Sequence, residues 1–202
     1  MRRKTRFLSL MSAALATVAF AQTNMDHSTM NMDTKAQSST SSMDMSGMQT
    51  DMSSLEKLSG KAFDRAFLSM MIPHHQAAVD MSKVVLPSAK DPSVKKWANQ
   101  IIADQNREIA QITTWLKTLG GPNAKMQAMM KNTMSGMVNG VKSARNPQRT
   151  FVQDMVGHHA SAIEMASLAL QKSSDDRVLK IARDIVRAQA SEMYNFRQWL
   201  KS

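Results

Sequence analysis

The stretch MIPHHQAAVDM at residues 71–81 decides the fold, because it is repeated 84 residues later as MVGHHASAIEM at residues 155–165. Each copy follows the pattern M-x2-H-H-x5-M, and together they hold four of the five histidines. The alignment continues without a gap to the end of the chain, where Trp199-Leu200 matches Trp115-Leu116. A duplication of this length predicts two copies of one helical hairpin.

Residues recur at alternating spacings of four and three, which places them on one mainly apolar face, or seam, of each predicted helix. The seams of the first and third helices are Phe67, Met71, His74, Ala78, Met81 and Val85, and Phe151, Met155, His158, Ala162, Met165 and Ala169. The spacing and the flanking signals predict helices over about 59–86, 92–119, 147–172 and from 175 or 176 to the end of the chain. Asp91, Asn146 and either Asp175 or Asp176 predict N-caps for three of these helices, and the first two are followed by proline. Gly120-Gly121-Pro122 ends the second helix.

Short connections within each hairpin predict antiparallel neighbours. The expected fold is therefore all-α, an antiparallel four-helix bundle over residues 56–202. Repeat 1 covers about 59–121 and repeat 2 about 147–202, and the duplication suggests a pseudo-two-fold axis that brings the two His-His motifs together.

The N-terminal part of the chain predicts two segments outside the bundle. A basic start, a short apolar run and Ala19-Phe20-Ala21 indicate a secretory signal peptide over residues 1–21, with an uncleaved anchor as the alternative. Residues 22–55 are poor in bulky aliphatics and rich in Ser, Thr, Asp and Met, which predicts a disordered arm. Its candidate soft-metal ligands are Met25, His27, Met30, Met32, Met43, Met45 and Met48.

A second Met-rich stretch, residues 122–146, connects the two repeats. It predicts either a short amphipathic helix laid over the bundle or a mobile loop, and Gly136 and Gly140 weaken the helical alternative. Its candidate ligands, which share one helical face, are Met126, Met130, Met134 and Met137.

Composition excludes several classes of function. The chain has no cysteine, so neither a disulfide framework nor a thiolate metal site can form. The formal net charge is +10, and the predicted signal peptide accounts for four of the basic residues. The remaining charges are scattered over helix faces without a nucleic-acid motif, which indicates a solvated surface. The 20 methionines are too many, and too often outside the predicted core, for packing alone.

Polar side chains fall on the apolar seams at the same level of both hairpins. His74 and His158 lie on the seams and His75 and His159 flank them. A buried polar group without a partner costs about 1–3 kcal/mol, so these groups must bond one another or bind a cation. Imidazole and thioether together suit copper, above all Cu(I), because both are soft to borderline ligands. The candidate metal ligands are Met71, His74, His75, Met81, Met155, His158, His159 and Met165.

Carboxylates and amides near the motif are candidates for orienting the histidines. The hairpin symmetry pairs His74 with Gln105 and Met71 with Glu108, and Asp154 lies four residues before His158. The candidate supporting residues are Gln105, Glu108, Asp154, Gln189 and Glu192. A structural alternative stays open, in which duplicated polar layers only fix the helix register.

The repeated F-x3-M-x2-H-H-x2-A-x2-[DE]-M, followed by Q-x2-E and W-L, resembles domain of unknown function family 305 over roughly residues 59–202. The resemblance implies a ferritin-like four-helix bundle and a link to CopM-like periplasmic proteins of copper binding and resistance. It carries over to the eight Met and His residues of the two motifs. Repeat 2 departs from repeat 1 in Gly157, which replaces Pro73, and in Asp154, which replaces Met70.

These features predict a periplasmic or secreted copper-binding protein that sequesters or delivers the ion and is not an enzyme. A copper-exporting or copper-receiving protein is the expected partner. The alternatives are a ferritin-like di-metal oxidase and a purely structural bundle. Against the oxidase, di-iron bundles use about four carboxylates with Glu-x-x-His motifs, whereas this chain offers two seam glutamates and no such motif.

Overall fold

The computed structural model describes residues 45–202, which form seven helices. Four long helices carry the two repeats: α2 (Gly60–Val85), α3 (Pro92–Thr118), α6 (Pro147–Lys172) and α7 (Asp176–Trp199). Three shorter helices accompany them: α1 (Met45–Glu56), α4 (Ala124–Met134) and α5 (Met137–Ser143). The fold is the predicted antiparallel four-helix bundle.

The helix boundaries follow the capping residues. The carboxylate of Asp91 accepts hydrogen bonds from the backbone N–H groups of Ser93 and Val94, at the start of α3. The side chains of Asn146 and Asp175 accept equivalent bonds at the starts of α6 and α7. Gly121, at φ +83°, donates its N–H to Leu116 O over 2.8 Å and so ends α3.

The seams of α2 and α6 form the centre of the core. Their twelve predicted seam residues are all fully buried, at 0% exposure: Phe67, Met71, His74, Ala78, Met81, Val85, Phe151, Met155, His158, Ala162, Met165 and Ala169. Lys172 at the end of α6 lies over the Phe63 ring near the start of α2, with Nζ 5.5 Å from the ring centroid. Gln148 at the start of α6 accepts a hydrogen bond from the backbone N–H of Asp91, beyond the end of α2, so α2 and α6 run antiparallel. Trp97 packs on Phe196 with ring centroids 5.1 Å apart, which joins the start of α3 to the end of α7.

The prediction of a disordered arm up to residue 55 is wrong for residues 45–55. This segment is helix α1, and Met48, Met52 and Leu55 are buried at spacings of four and three. The buried Asp51 accepts a hydrogen bond of 2.9 Å from the Thr133 hydroxyl of α4. Methionine packs as an apolar side chain here, which the compositional argument did not allow for. Residues 22–44 lie outside the described part of the chain.

The connection between the repeats is helical rather than a loop. Helices α4 and α5 are separated at Ser135 and Gly136. The four methionines that share a face, Met126, Met130, Met134 and Met137, are buried. Arg65 of α2 holds the segment before α4, because its guanidinium donates to Gly121 O and Pro122 O at 2.6 and 2.9 Å. Packing accounts for these methionines, whose role as ligands stays a prediction.

Candidate metal centre

All four histidines of the two motifs lie in the interior. His74, His75, His158 and His159 are each 0% exposed, although the sequence placed His75 and His159 beside the seam rather than in the core. The rings of His74 and His158 meet across the α2–α6 interface with centroids 3.8 Å apart. The duplication therefore brings its two His-His motifs into contact, as the pseudo-two-fold arrangement predicts.

A hydroxyl fixes the proton of one of these rings. The Ser161 Oγ donates its single proton to His158 O over 2.8 Å. It can then only accept from His74 Nε2, which lies 2.8 Å away. His74 is thereby held with its proton on Nε2. Sequence reasoning paired His74 with Gln105 and missed Ser161, whose counterpart in repeat 1 is the apolar Ala77.

The same reasoning places a ring proton on Nε2 of His158 and of His159. His158 Nε2 lies 2.9 Å from His74 O, and a carbonyl only accepts, so the proton is on Nε2. His159 Nε2 lies 2.6 Å from Glu192 Oε2 and donates to that carboxylate. Asp154, a candidate for orienting His158, makes no hydrogen bond to that ring, because His158 bonds His74 O through Nε2 and its Nδ1 has no partner. Asp154 lines a surface pocket with Arg149 and Arg197.

The Nδ1 atoms of all four histidines are buried and without a hydrogen-bond partner. His74 and His158 are neutral and carry their proton on Nε2, so the Nδ1 atom of each presents a lone pair. Gln105 and Gln189 each add an unpartnered, buried Oε1. Unsatisfied acceptors of this kind are costly in a core, and a bound cation would satisfy them.

Burial keeps the central imidazoles neutral. Desolvation lowers the pKa of His74 well below its ordinary value, and the neighbouring His158, His75 and His159 lower it further. Desolvation likewise lowers the pKa of His158, with His159 and His75 adding to the effect. A neutral imidazole is the form that binds a metal ion.

His75 differs from the other three. Its Nε2 lies 2.7 Å from Glu108 Oε2, the counterpart of the His159–Glu192 contact in repeat 2. Nevertheless, neither ring nitrogen of His75 makes a hydrogen bond of acceptable geometry. The sequence paired Glu108 with Met71, one turn away from the histidine that it contacts.

The thioethers of both motifs are buried in the same core. Met71 and Met81 on α2, and Met155 and Met165 on α6, are all 0% exposed. Among residues 45–202, no three His, Asp or Glu side chains converge as a metal site. A complete ligand set at the imidazole level therefore has to include methionine sulfur or a rearrangement of side chains. The ligand role of these methionines stays a prediction, as does that of Met45 at the start of α1.

The other arm candidates, Met25, His27, Met30, Met32 and Met43, lie outside the described residues, whereas Met48 is buried in the contact between α1 and the bundle. None of the helices that the structure describes is long and apolar enough to cross a membrane.

Several solved structures resemble this chain. CopM in its Cu(I)-bound form is 33% identical, with a TM-score of 0.60 over 68% of this chain and 95% of CopM. The Cu(II)-bound form gives 33% identity and a TM-score of 0.58 over 68% of this chain and 96% of CopM. A candidate secreted protein of the DUF305 family from Streptomyces coelicolor is 23% identical, with a TM-score of 0.61 over 68% of this chain and 91% of that one, and supports the fold.

Sequence comparison gives the family. An uncharacterized protein of Acanthamoeba polyphaga mimivirus, L153, is 42% identical over 53 residues, which are 26% of this chain and 35% of the viral protein. The family described as Domain of unknown function (DUF305) matches residues 8–116 and 148–202, which include both His-His motifs. The chain therefore belongs to the DUF305 family.

Proposed function

We propose that this protein binds copper in the centre of its bundle and acts in copper sequestration or delivery outside the cytoplasm. The observation that carries the proposal is the set of four buried imidazoles whose Nδ1 atoms lack partners. Copper-bound structures of CopM, similar over 68% of this chain, support the choice of metal. The signal peptide that the sequence predicts over residues 1–21 supports export, and a chain without cysteine suits an oxidising compartment.

Cu(I) is the proposed form of the ion. The core offers neutral imidazole nitrogen and thioether sulfur, which are soft to borderline ligands, whereas hard cations prefer oxygen. The two carboxylates at this level, Glu108 and Glu192, already contact His75 and His159. Two carboxylates are fewer than the roughly four that a di-metal oxidase uses, which supports binding over oxidation.

Metal analysis of the purified protein tests the proposal. The protein is exposed in turn to Cu(I), Cu(II), Zn(II) and Fe(II), desalted, and the bound metal is counted per chain. We expect Cu(I) retention that survives excess Mg(II) and falls in a His74→Leu/His158→Leu variant. Retention of Fe(II) with oxidase activity would favour the enzyme, and retention of no metal would favour a structural bundle.

A further inference from the structure

A surface cleft of about 360 Å³ lies between α3 and α7, beside the core histidines. Its lining includes Asp104, Arg107, Glu108 and Gln111 from α3, and Asp184 and Ala188 from α7. Glu108 connects the cleft with the core. Its side chain lines the cleft, and its carboxylate lies 2.7 Å from Nε2 of the fully buried His75. The Glu108 side chain is 24% exposed, whereas that of His75 is 0% exposed.

Among the carboxylates of the cleft, Glu108 differs from Asp104 and Asp184 in its ion-pair partner. Asp104 is paired with Arg107, and Asp184 is paired with Lys180 and Arg183. Within the described part of the chain, the ion-pair partner of Glu108 is the imidazole of His75 and neither a lysine nor an arginine. Glu108 thus keeps a carboxylate that an incoming cation can approach without displacing a fixed positive charge.

His75 supplies an independent observation that points to a ligand. Of the four core histidines it is the one with neither ring nitrogen hydrogen-bonded, and its Nε2 lies against the carboxylate that lines the cleft. In repeat 2 the corresponding His159 is hydrogen-bonded to Glu192 over 2.6 Å. The pair in repeat 2 is hydrogen-bonded, whereas in repeat 1 the imidazole and the carboxylate are in contact without a hydrogen bond of acceptable geometry.

We infer that the α3–α7 cleft is the uptake port of the core, where Glu108 binds the cation first and passes it to His75. The inference rests on the proposed function, because it needs a metal ion that ends in the core. The carboxylate acts by charge, so its effect is larger for a divalent ion than for a monovalent one. The port therefore affects the rate of loading more than the final affinity.

Stopped-flow mixing of the metal-free protein with Cu(II), followed by tryptophan fluorescence, measures the loading rate. We expect Glu108→Gln to slow association with Cu(II) about tenfold, in the range of electrostatic steering, and association with Ag(I) by less. Glu164→Gln, which removes one exposed carboxylate from α6 outside the cleft, is the matched control, and its association rate should stay within about twofold. Equal rates for the parent and Glu108→Gln, or equal slowing by both variants, would overturn the port.

A second pair of variants leaves Glu108 untouched. Ala188 and Ala190 are both exposed on α7, but only Ala188 lines the cleft. Ala188→Lys should slow loading by both charge and bulk, whereas Ala190→Lys, which adds the same charge on the same helix, should not. Equal loading rates for these two would also count against the port.

Equilibrium binding separates the two ideas. If the parent binds no metal at equilibrium, the proposed function fails and the port fails with it. If it binds copper at a rate that none of these substitutions alters, the proposed function stands and the port alone is wrong. Circular dichroism of each variant confirms that the helices are retained.

Discussion

The rings of His74 and His158 lie 3.8 Å apart, although the two residues come from different repeats. Both are fully buried, and desolvation, with a smaller contribution from repulsion by neighbouring histidines, lowers the pKa of each. Two imidazoles in this position cannot both be protonated without a large cost. The contact therefore belongs to a neutral pair, and several measurable consequences follow from that.

Stability should depend on pH through these two residues. The pKa of each histidine is lower in the folded state than the unfolded value of 6.5. The contribution of the two residues to the free energy of unfolding is therefore fully present above pH 6.5 and is lost as the pH falls. With two such groups, the free energy of unfolding should fall by about 2.7 kcal/mol for each pH unit below 6.5. Thermal melts of the metal-free protein between pH 7 and 5 measure this, before the carboxylates titrate. A flat profile would contradict the neutral pair.

Replacing the two histidines should separate binding from stability. The His74→Leu/His158→Leu variant removes two buried Nδ1 atoms without partners, and the Ser161 hydroxyl keeps its bond to residue 158 O. We expect equal or higher stability of the metal-free protein in urea at pH 7, a flatter pH profile, and weaker copper binding. Strong destabilisation would instead support the structural role of a polar layer.

The methionines of the two motifs should determine the selectivity for Cu(I). Exchanging Met71, Met81, Met155 and Met165 for Leu keeps the volume nearly constant, so each exchange should cost less than about 1.5 kcal/mol. Cu(I) binding should weaken while Zn(II) binding to the histidines persists, as measured by competition with a chromophoric chelator. The matched control exchanges four buried methionines of α1 and α4: Met48, Met52, Met126 and Met130. If the control alone weakened Cu(I) binding, the ion would lie at the α1–α4 contact.

Helix α1 should stabilise the bundle. Leu55 is 0% exposed, so Leu55→Ala should cost about 2–5 kcal/mol in urea unfolding. Gln49→Ala, an exposed position on the same helix, is the control and should change stability by less than about 0.5 kcal/mol. A cost near zero at Leu55 would mean that α1 is detached in solution.

The repeat made most of the bundle predictable, because each long helix carries its own periodicity and its own cap. Asp91 and Asn146 cap the helices that the sequence assigned to them, and of the two candidates for the last helix the structure has Asp175 as the cap. Helix α1 was missed since methionines in a polar segment were interpreted as ligands, although their spacing of four and three was visible. Low aliphatic content is a weak argument for disorder where methionine supplies the apolar surface.

The candidate site was predictable in its residue types but not in its contacts. A seam assignment places one residue of each His-His pair inward, whereas the structure buries both members of each pair. Hairpin symmetry paired Glu108 with Met71, whereas the structure places Glu108 against His75. The symmetry assumes that the two helices face each other in exact register along one line of residues. Ser161 could have been found by comparing the two repeats for polar differences, because it aligns with the apolar Ala77 of repeat 1.

The Ser161 hydroxyl also determines how the site handles protons. Because it holds the His74 proton on Nε2, and His158 carries its proton on the same atom, an ion that binds at the Nδ1 atoms of this pair displaces neither proton. Uptake at neutral pH then releases almost no acid into the surroundings. The heat of binding measured in buffers of different ionisation enthalpy would accordingly be nearly the same, in contrast to a thiolate site, which must give up its protons before it can bind.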